Sequence, residues 1–312
     1  LARRALSGYA TEHPGLLIEH GDDLYFAAID GSQAKRLTST PGKEELAEFS
    51  PDGRFVAFVR DNDLHVVDIA TATERSLTTG GTEQVRNGKA VWVYFEELFD
   101  RSWKAFWWSP DGEHLAFLQL DDRPLDNHTV LDDTGPRRIV EDTPYPFAGD
   151  PNPRVALGIV SSSGGAPRFA DLSSYLDNSF LISHVGWFPD GKDAIAYVQN
   201  RTQTWLDVLR IPTSGDAPKK LFRDQTEAWI MSPGDPTFLP DGTFLWPSDR
   251  DGWRHLYHYQ ADGTLLKQVT MGNWEVRKIE HLDPESRSVL VIGTLDSHIA
   301  ENLYRVSIDD LC

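Results

Sequence analysis

The sequence predicts an all-β fold, a β-propeller of four-stranded antiparallel blades, and three observations support this prediction. The first is a recurring turn with the letters PDG, in which Pro sets the first central position and Gly accepts a positive φ on the way out. Each copy leads into a short apolar strand. The copies are FSPDGRFVAFV (49–59), WWSPDGEHLAFLQL (107–120), WFPDGKDAIAYVQ (187–199), FLPDGTFLWPS (238–248) and a degenerate LDPESRSVLVIGT (282–294).

The second observation is a further strand that follows these turns, and after it come another turn and a third strand. The second strands are DLHVVDI (63–69), WLDVLRI (205–211), HLYHYQ (255–260) and NLYRVSI (302–308). The third strands are ERSLT (74–78), PKKLF (218–222) and LKQVT (266–270). The third observation is the period of about 40–50 residues between uninterrupted units, which is typical of propeller blades. A β-sandwich with coincidental PDG turns is the less favoured alternative.

About six units are visible, and the first one looks incomplete because DLYFAAIDGSQAKRLT (23–38) resembles only the back half of a unit. A long interruption covers residues 121–153 and ends in PYPFAGDPNP. Its Pro and Gly content predicts a loop, and a strand, RVALGIV, resumes directly after it. We therefore interpret residues 1–312 as one incomplete propeller domain.

Composition excludes some functions. The formal net charge of −18 argues against nucleic acid as a partner, because phosphates require Lys and Arg. The chain has one cysteine, Cys312, so an internal disulfide is not expected. Motifs for metals, nucleotides and α/β-hydrolase nucleophiles are missing; the nearest look-alike, SSSGGAP (161–167), reads as a turn. We predict no cofactor, no metal and no catalytic residue in this chain.

The segment VWVYFEELFDRSWKAFWW (91–108) places two adjacent carboxylates, Glu96 and Glu97, among many aromatic residues. Burying a carboxylate is costly unless it is paired, and two side by side repel each other. The pair therefore either lies on a solvated helical face beside a core aromatic cluster or faces a cation. We expect a short helical insertion whose carboxylates lack a partner within this chain.

Four segments together resemble the N-terminal propeller of the dipeptidyl peptidase IV family, within the prolyl oligopeptidase superfamily. They are NGKAVWVYFEELFDRSWKAFWW (87–108), YPFAGDPNP (145–153), SDRDGWRHLYHYQADG (248–263) and NWEV (273–276). The resemblance implies an eight-bladed propeller that caps an α/β-hydrolase domain carrying a Ser, Asp and His triad. It implies that the parent protein releases N-terminal dipeptides with Pro or Ala in second position. The present chain lacks the hydrolase domain, so we expect it to be inactive alone.

The resemblance also implies site residues. Glu96 and Glu97 match the two glutamates that bind the free α-ammonium of the substrate. Tyr94 is expected to support them, and the loop around Trp229 and Met231 is expected near the substrate side-chain pocket. The sequence departs from the family at two nearby positions: Val91 replaces the usual Asp, and Phe95 replaces an acidic or polar residue. The family's backbone-gripping arginine has no clear match here.

The implied partners are peptides with a free N-terminus, the protein's own C-terminal hydrolase domain and, in the full-length form, a second copy. Relatives of this kind are often periplasmic, secreted or membrane-anchored. Two other functions stay open from the residues alone. One is a stand-alone propeller that serves as an interaction scaffold. The other is the propeller of an oligopeptidase or acylaminoacyl peptidase, where the glutamates would have no ammonium to bind.

Overall fold

The computed structural model describes residues 6–7 and 15–310, and Cys312 lies outside them. The chain consists of two compact units. The first comprises Leu1–Ser179, Val185–Ala194 and Ile211–Pro218. The second comprises Phe180–His184, Ile195–Arg210 and Lys219–Cys312. Within the described residues, almost all regular structure is antiparallel β-sheet, as the sequence predicts.

The first sheet has four strands in sequential order: β1 (Leu6–Ser7), β2 (Gly15–His20), β3 (Asp23–Ala28) and β4 (Ala34–Arg36). The expectation of an incomplete first unit is therefore wrong. Strand β2 joins β3 through a two-residue turn rather than a PDG turn. Gly21 and Asp22 have φ values of 60° and 68°, the left-handed conformation that tight hairpins need at both central positions. The PDG pattern could not reveal this hairpin.

The second and third sheets complete the blade-like sheets that lie in the first unit. The second contains β5 (Glu45–Phe49), β6 (Phe55–Arg60), β7 (Asp63–Asp68) and β8 (Glu74–Ser76) in sequential order. Next along the chain come β9 (Val85–Asn87), β10 (Phe106–Trp108), β11 (His114–Asp121), β12 (Asn127–Asp132), β13 (Ile139–Pro144), β14 (Arg154–Ser161) and β15 (Arg168–Phe169). The third sheet has the order β10-β11-β14-β15, with β9 pairing one end of β11.

Strands β12 and β13 form a separate two-stranded hairpin inside the long interruption. The prediction of a loop there is corrected. Both strands are exposed along most of their length, so they lack the alternation of apolar and polar residues that marks a half-buried strand.

A short 3₁₀-helix (Ser173–Asn178) precedes the fourth blade-like sheet. The sheet contains β16 (Phe180–Trp187), β17 (Asp193–Asn200), β18 (Trp205–Pro212) and β19 (Lys219–Gln225). The second unit adds two sheets. They contain β20 (Thr237–Phe238), β21 (Phe244–Ser248), β22 (His255–Tyr259) and β23 (Leu265–Gln268), then β24 (Val276–Asp283), β25 (Ser288–Gly293) and β26 (Asn302–Ser307). Residues 6–7 and 15–310 thus form six blade-like sheets, in agreement with the predicted number.

The PDG turns have the predicted geometry. In the first copy, the Ser50 hydroxyl donates to Asp52 at 2.6 Å, and the Gly53 N–H donates to the Ser50 carbonyl at 2.9 Å. The φ of Gly53 is 69°. The glycines of the other intact copies also have positive φ: Gly112, Gly191 and Gly242. This conformation favours Gly because it has no Cβ.

Strand β6 shows how the core of the first unit is built. All six of its residues are buried, because its two faces pack against different neighbours. Phe55, Ala57 and Val59 join a cluster with residues of the third sheet, whereas Val56 and Phe58 join a cluster with residues of the first. Alternate residues of a strand point to opposite faces, so residues 55–59, which lie between two packed layers, are apolar on both faces. The buried Arg60 at the end of the strand pairs with Glu44 and Glu74. The segment that carries Glu96 and Glu97 connects β9 to β10.

Candidate functional site

A single helical turn carries the two glutamates, which confirms the predicted helical insertion. Residues 92–93 are α-helical and Tyr94–Leu98 form a π-helix. Its hydrogen bond runs from the Phe99 N–H to the Tyr94 carbonyl at 2.8 Å. Such widened turns are rare and are frequently found at functional sites. The chain then reverses, and the Arg101 N–H donates to the Phe95 carbonyl at 2.8 Å.

Tyr94 anchors this turn from inside the protein. It is fully buried, and its ring packs edge-on against Phe99 at a centroid distance of 5.5 Å. Phe99 in turn packs against Trp107 at 5.8 Å. From this position Tyr94 cannot touch a bound peptide, so its expected part in the site is limited to support. Val91 is also fully buried, so an apolar side chain suits this position.

Phe95 belongs to an aromatic triplet with Trp92 and Trp103. The rings of Phe95 and Trp103 stack at a centroid distance of 4.1 Å and an angle of 13°. Trp92 lies 5.5 Å from Phe95 and 6.1 Å from Trp103. Contacts between aromatic rings stabilise beyond their buried area. The stacked ring of Phe95 therefore helps to hold the turn in place.

Glu96 is paired within the chain, contrary to expectation. Its Oε1 accepts a hydrogen bond from Nη2 of Arg101 at 2.7 Å. The side chain of Arg101 is 73% exposed and that of Glu96 is 30% exposed, so the ion pair lies at the surface. This pairing was not predicted from the sequence, although Arg101 lies only five residues after Glu96.

Glu97 is exposed and has a neutral neighbour. The hydroxyl of Tyr145 lies 3.4 Å from its Oε1. Partial burial of Tyr145 and the negative charges of Glu97 and Glu96 raise the pKa of this phenol, so the hydroxyl stays protonated and donates. Tyr145 is the first residue of the YPFAGDPNP motif. The proximity of this motif to the glutamates was not predicted from the sequence.

Arg86 supports the start of the segment. Its guanidinium donates to the carbonyls of Ala90 at 3.0 Å and Glu83 at 3.1 Å. Nη2 of Arg86 is 3.9 Å from Oδ2 of Asp122. Burial raises the pKa of Asp122 to about 6, against the opposing effect of Arg86. Within the described residues, Oδ1 of Asp122 has no hydrogen-bond partner.

Trp229 and Met231 flank a buried anchor in the second unit. Ile230 is buried; its N–H donates to the Gln203 carbonyl at 2.7 Å, and its carbonyl accepts from the Gln199 amide at 2.8 Å. Trp229 and Met231, on either side of this buried residue, are about half exposed. Glu96 and Glu97 belong to the first unit. Membership of all four residues in one site stays a prediction.

The segment nearest to a nucleophile motif, SSSGGAP (161–167), is a turn, in which Gly164 and Gly165 have φ values of 98° and 111°. Among residues 6–7 and 15–310, no group of three or more His, Cys, Asp or Glu side chains could hold a metal ion. In the same part of the chain, no helix is long and apolar enough to cross a membrane.

Relatives with curated descriptions resemble most of this chain. A dipeptidyl peptidase 4 of Trichophyton equinum is 28% identical over 291 residues, which cover 89% of this chain and 37% of that protein. A probable dipeptidyl peptidase 4 of Aspergillus flavus is 29% identical over 308 residues, covering 91% and 39%. The chain therefore spans less than half the length of the curated relatives it matches.

Solved structures resemble the fold as well. The crystal structure of Porphyromonas gingivalis dipeptidyl peptidase 4 matches with a TM-score of 0.81 at 26% identity, covering 97% of this chain and 44% of that one. The predicted class, an all-β propeller of four-stranded antiparallel blades, is confirmed. A family model described as the dipeptidyl peptidase IV N-terminal region matches residues 19–311. This chain therefore belongs to the family of dipeptidyl peptidase IV N-terminal regions.

Proposed function

We propose that this chain is the substrate-recognition propeller of a serine dipeptidyl peptidase that releases N-terminal dipeptides with Pro or Ala in second position. Relatives of greater length carry the name dipeptidyl peptidase 4. In this proposal, Glu96 and Glu97 bind the α-ammonium of the peptide. Catalysis comes from a hydrolase domain of the same protein, and the full-length protein forms a homodimer.

The observation that carries the proposal is the pair of accessible carboxylates on one π-helical turn. The turn is anchored by buried Tyr94 and by the stacked ring of Phe95. A peptide α-ammonium has an ordinary pKa of about 7.7–8.0 and three N–H donors. Two carboxylates accept charge-assisted hydrogen bonds from it, which favours its protonated form. The Tyr145 hydroxyl adds a donor that helps hold Glu97.

This arrangement would select peptides by their free end. An internal peptide bond or an acetylated N-terminus offers no cation, so Glu97 would lose water without gaining a charged partner, and Glu96 would keep only its pair with Arg101. Sites built around a polar partner reject analogues that lack it more strongly than apolar pockets do. The distance from the glutamates to the catalytic serine of the hydrolase domain would then fix the length of the released peptide at two residues.

The test replaces the glutamates in the full-length protein. We expect Glu96→Gln and Glu97→Gln each to lower kcat/KM for a dipeptidyl-Pro chromogenic amide by about 10–100-fold, the equivalent of one hydrogen bond to a charged group. Glu113→Gln is the matched control, because Glu113 forms an exposed ion pair with Arg54 at 2.6 Å in the same unit. Unchanged kinetics in both site variants would rule out the ammonium role.

The N-acetylated form of the same amide separates the alternatives. An oligopeptidase or acylaminoacyl peptidase would cleave it at least as well as the free form, whereas we expect cleavage to fall by 100-fold or more, about the cost of two lost charged bonds. A scaffold would cleave neither. We also expect the 312-residue chain alone to be inactive; labelling by a serine-directed fluorophosphonate would contradict this.

A further inference from the structure

The two glutamates are not equivalent in the empty site. Oε1 of Glu96 already accepts a charge-assisted hydrogen bond from Arg101 at 2.7 Å. Among the residues that the structure describes, the side-chain partner of Glu97 is a neutral hydroxyl at 3.4 Å. A short bond to a cation is stronger than a long bond to a phenol. A cation that arrives from solvent therefore finds one carboxylate open and the other occupied by the protein itself.

The backbone at Arg101 is held in place. Asp100 and Arg101 are consecutive non-glycine residues with φ values of 47° and 62°, a conformation that costs energy for residues with a Cβ. The N–H of Arg101 donates to the Phe95 carbonyl, and the next N–H, that of Ser102, donates to the Phe99 carbonyl at 2.9 Å. This strained reversal points the arginine back toward Glu96.

The side chain of Arg101, in contrast, can be released. It is 73% exposed, and it forms an ion pair with Glu96. Exposed ion pairs contribute little net stability, because water solvates the separated charges well. Displacing the guanidinium from Glu96 should therefore weaken ligand binding by only about two- to five-fold. A ligand that binds both carboxylates gains enough binding energy to offset the loss of the Arg101–Glu96 pair. A ligand that reaches one carboxylate does not.

We propose that Arg101 is a built-in competitor for Glu96, which the α-ammonium of an incoming peptide displaces. This inference rests on the proposed function of the two glutamates. Arg101 holds the Glu96 carboxylate in one orientation while the site is empty, and it lowers the fraction of molecules in which Glu96 is free. It thereby makes the site selective for primary ammonium groups that also reach Glu97. Arg101 is thus a specificity-determining residue rather than a catalytic one.

The test uses Arg101→Gln in the full-length protein, since Gln keeps a similar side-chain stem without the charge. We expect KM for a dipeptidyl-Pro chromogenic amide to fall about two- to five-fold at 10 mM salt, with kcat unchanged. The ratio of wild-type to variant KM should approach one at 0.5 M salt, since salt screens an exposed pair. In the Glu96→Gln background, Arg101→Gln should have no effect.

Arg138→Gln is the matched control. Arg138 pairs with Asp133 at 2.6 Å, also five residues away and at the surface, and its loss should not change KM. If KM rises or stays constant in Arg101→Gln, or if the effect persists without the Glu96 charge, the competitor role is wrong. The proposed function fails separately, when Glu96→Gln and Glu97→Gln leave both KM and the rejection of the acetylated amide unchanged.

Discussion

The hydroxyl of Tyr145 lies 3.4 Å from Oε1 of Glu97, although 48 residues separate them in the chain. This contact connects the π-helical turn to the YPFAGDPNP motif, and it places a neutral donor beside one of two adjacent carboxylates. Because burial and both glutamates raise the pKa of Tyr145, the hydroxyl keeps its proton at neutral pH.

We expect Tyr145→Phe to raise KM for a dipeptidyl-Pro amide by about two- to ten-fold in the full-length protein, because a long hydrogen bond contributes about 0.5–1.5 kcal/mol. Steady-state kinetics measure this change. Tyr304→Phe is the control, since its hydroxyl donates to Asp296 at 3.0 Å in the second unit. Equal KM values for Tyr145→Phe and wild type would show that the contact does not help to hold Glu97.

Phe95→Ala should weaken both stability and binding. Removal of the ring that stacks on Trp103 is expected to lower the free energy of unfolding by about 1–3 kcal/mol, less than for a fully buried Phe. Because the turn loses its support, KM should rise as well. Urea unfolding and steady-state kinetics measure the two effects. Phe169→Ala is the control, because it removes a partly exposed ring packed on Phe117; it should reduce stability and leave KM unchanged. If Phe95→Ala also left KM unchanged, Phe95 would not position the turn that carries the glutamates.

Ionisation of Asp122 should make the protein less stable as the pH rises. Its pKa is raised from 3.8 to about 6 by burial, so the folded state holds the proton more tightly than the unfolded state. Its contribution to stability is full below pH 3.8 and is lost as the pH rises through about 6. The free energy of unfolding of Asp122→Asn should therefore equal that of wild type near pH 4. At pH 7 it should be higher than that of wild type by about 2–3 kcal/mol.

The neighbouring residue supplies a control of opposite sign. Hydrogen bonds and the charge of Arg123 lower the pKa of Asp121, so its contribution is present above the ordinary pKa and is lost as the pH falls. Asp121→Asn should be less stable than wild type at pH 7. Urea unfolding at pH 4.5, 6 and 7.5 measures both variants. A constant difference between Asp122→Asn and wild type across this range would contradict the raised pKa.

Ala substitutions at two glycines of the PDG turns distinguish the cost of backbone strain from the cost of steric crowding. Gly191 and Gly242 have φ values of 69° and 83°, so Ala is strained at both, at a cost of about 1–2 kcal/mol. A Cβ at Gly191 would also lie 2.8 Å from the Asp111 carboxylate, whereas a Cβ at Gly242 would meet nothing within 4 Å. Asp111 is held by the Ser109 hydroxyl and the Glu113 N–H.

We therefore expect Gly191→Ala to lower the free energy of unfolding by at least about 1 kcal/mol more than Gly242→Ala, the size of a modest overpacking cost. Thermal or urea unfolding of the two variants measures the difference. Equal losses would mean that the Asp111 carboxylate moves aside at no cost.

Local chemistry made much of the fold predictable. The PDG turns and the apolar strands after them are defined by neighbouring residues, because Pro and Gly restrict the backbone directly. The family followed from motifs of the same local kind. Strand β2 and the hairpin of β12 and β13 escaped prediction, because Gly21 and Asp22 form a different turn and the hairpin is exposed on most of its length.

The sequence by itself determined that Glu96 and Glu97 are adjacent, helical and surrounded by aromatic residues. Only the tertiary structure decided their partners. Tyr145 reaches Glu97 across 48 residues, a contact that depends on how distant segments pack. Arg101 reaches Glu96 because the strained reversal at Asp100 and Arg101 points it backward. Side-chain pairing at the surface depends on backbone direction and long-range packing, which residue order alone does not specify.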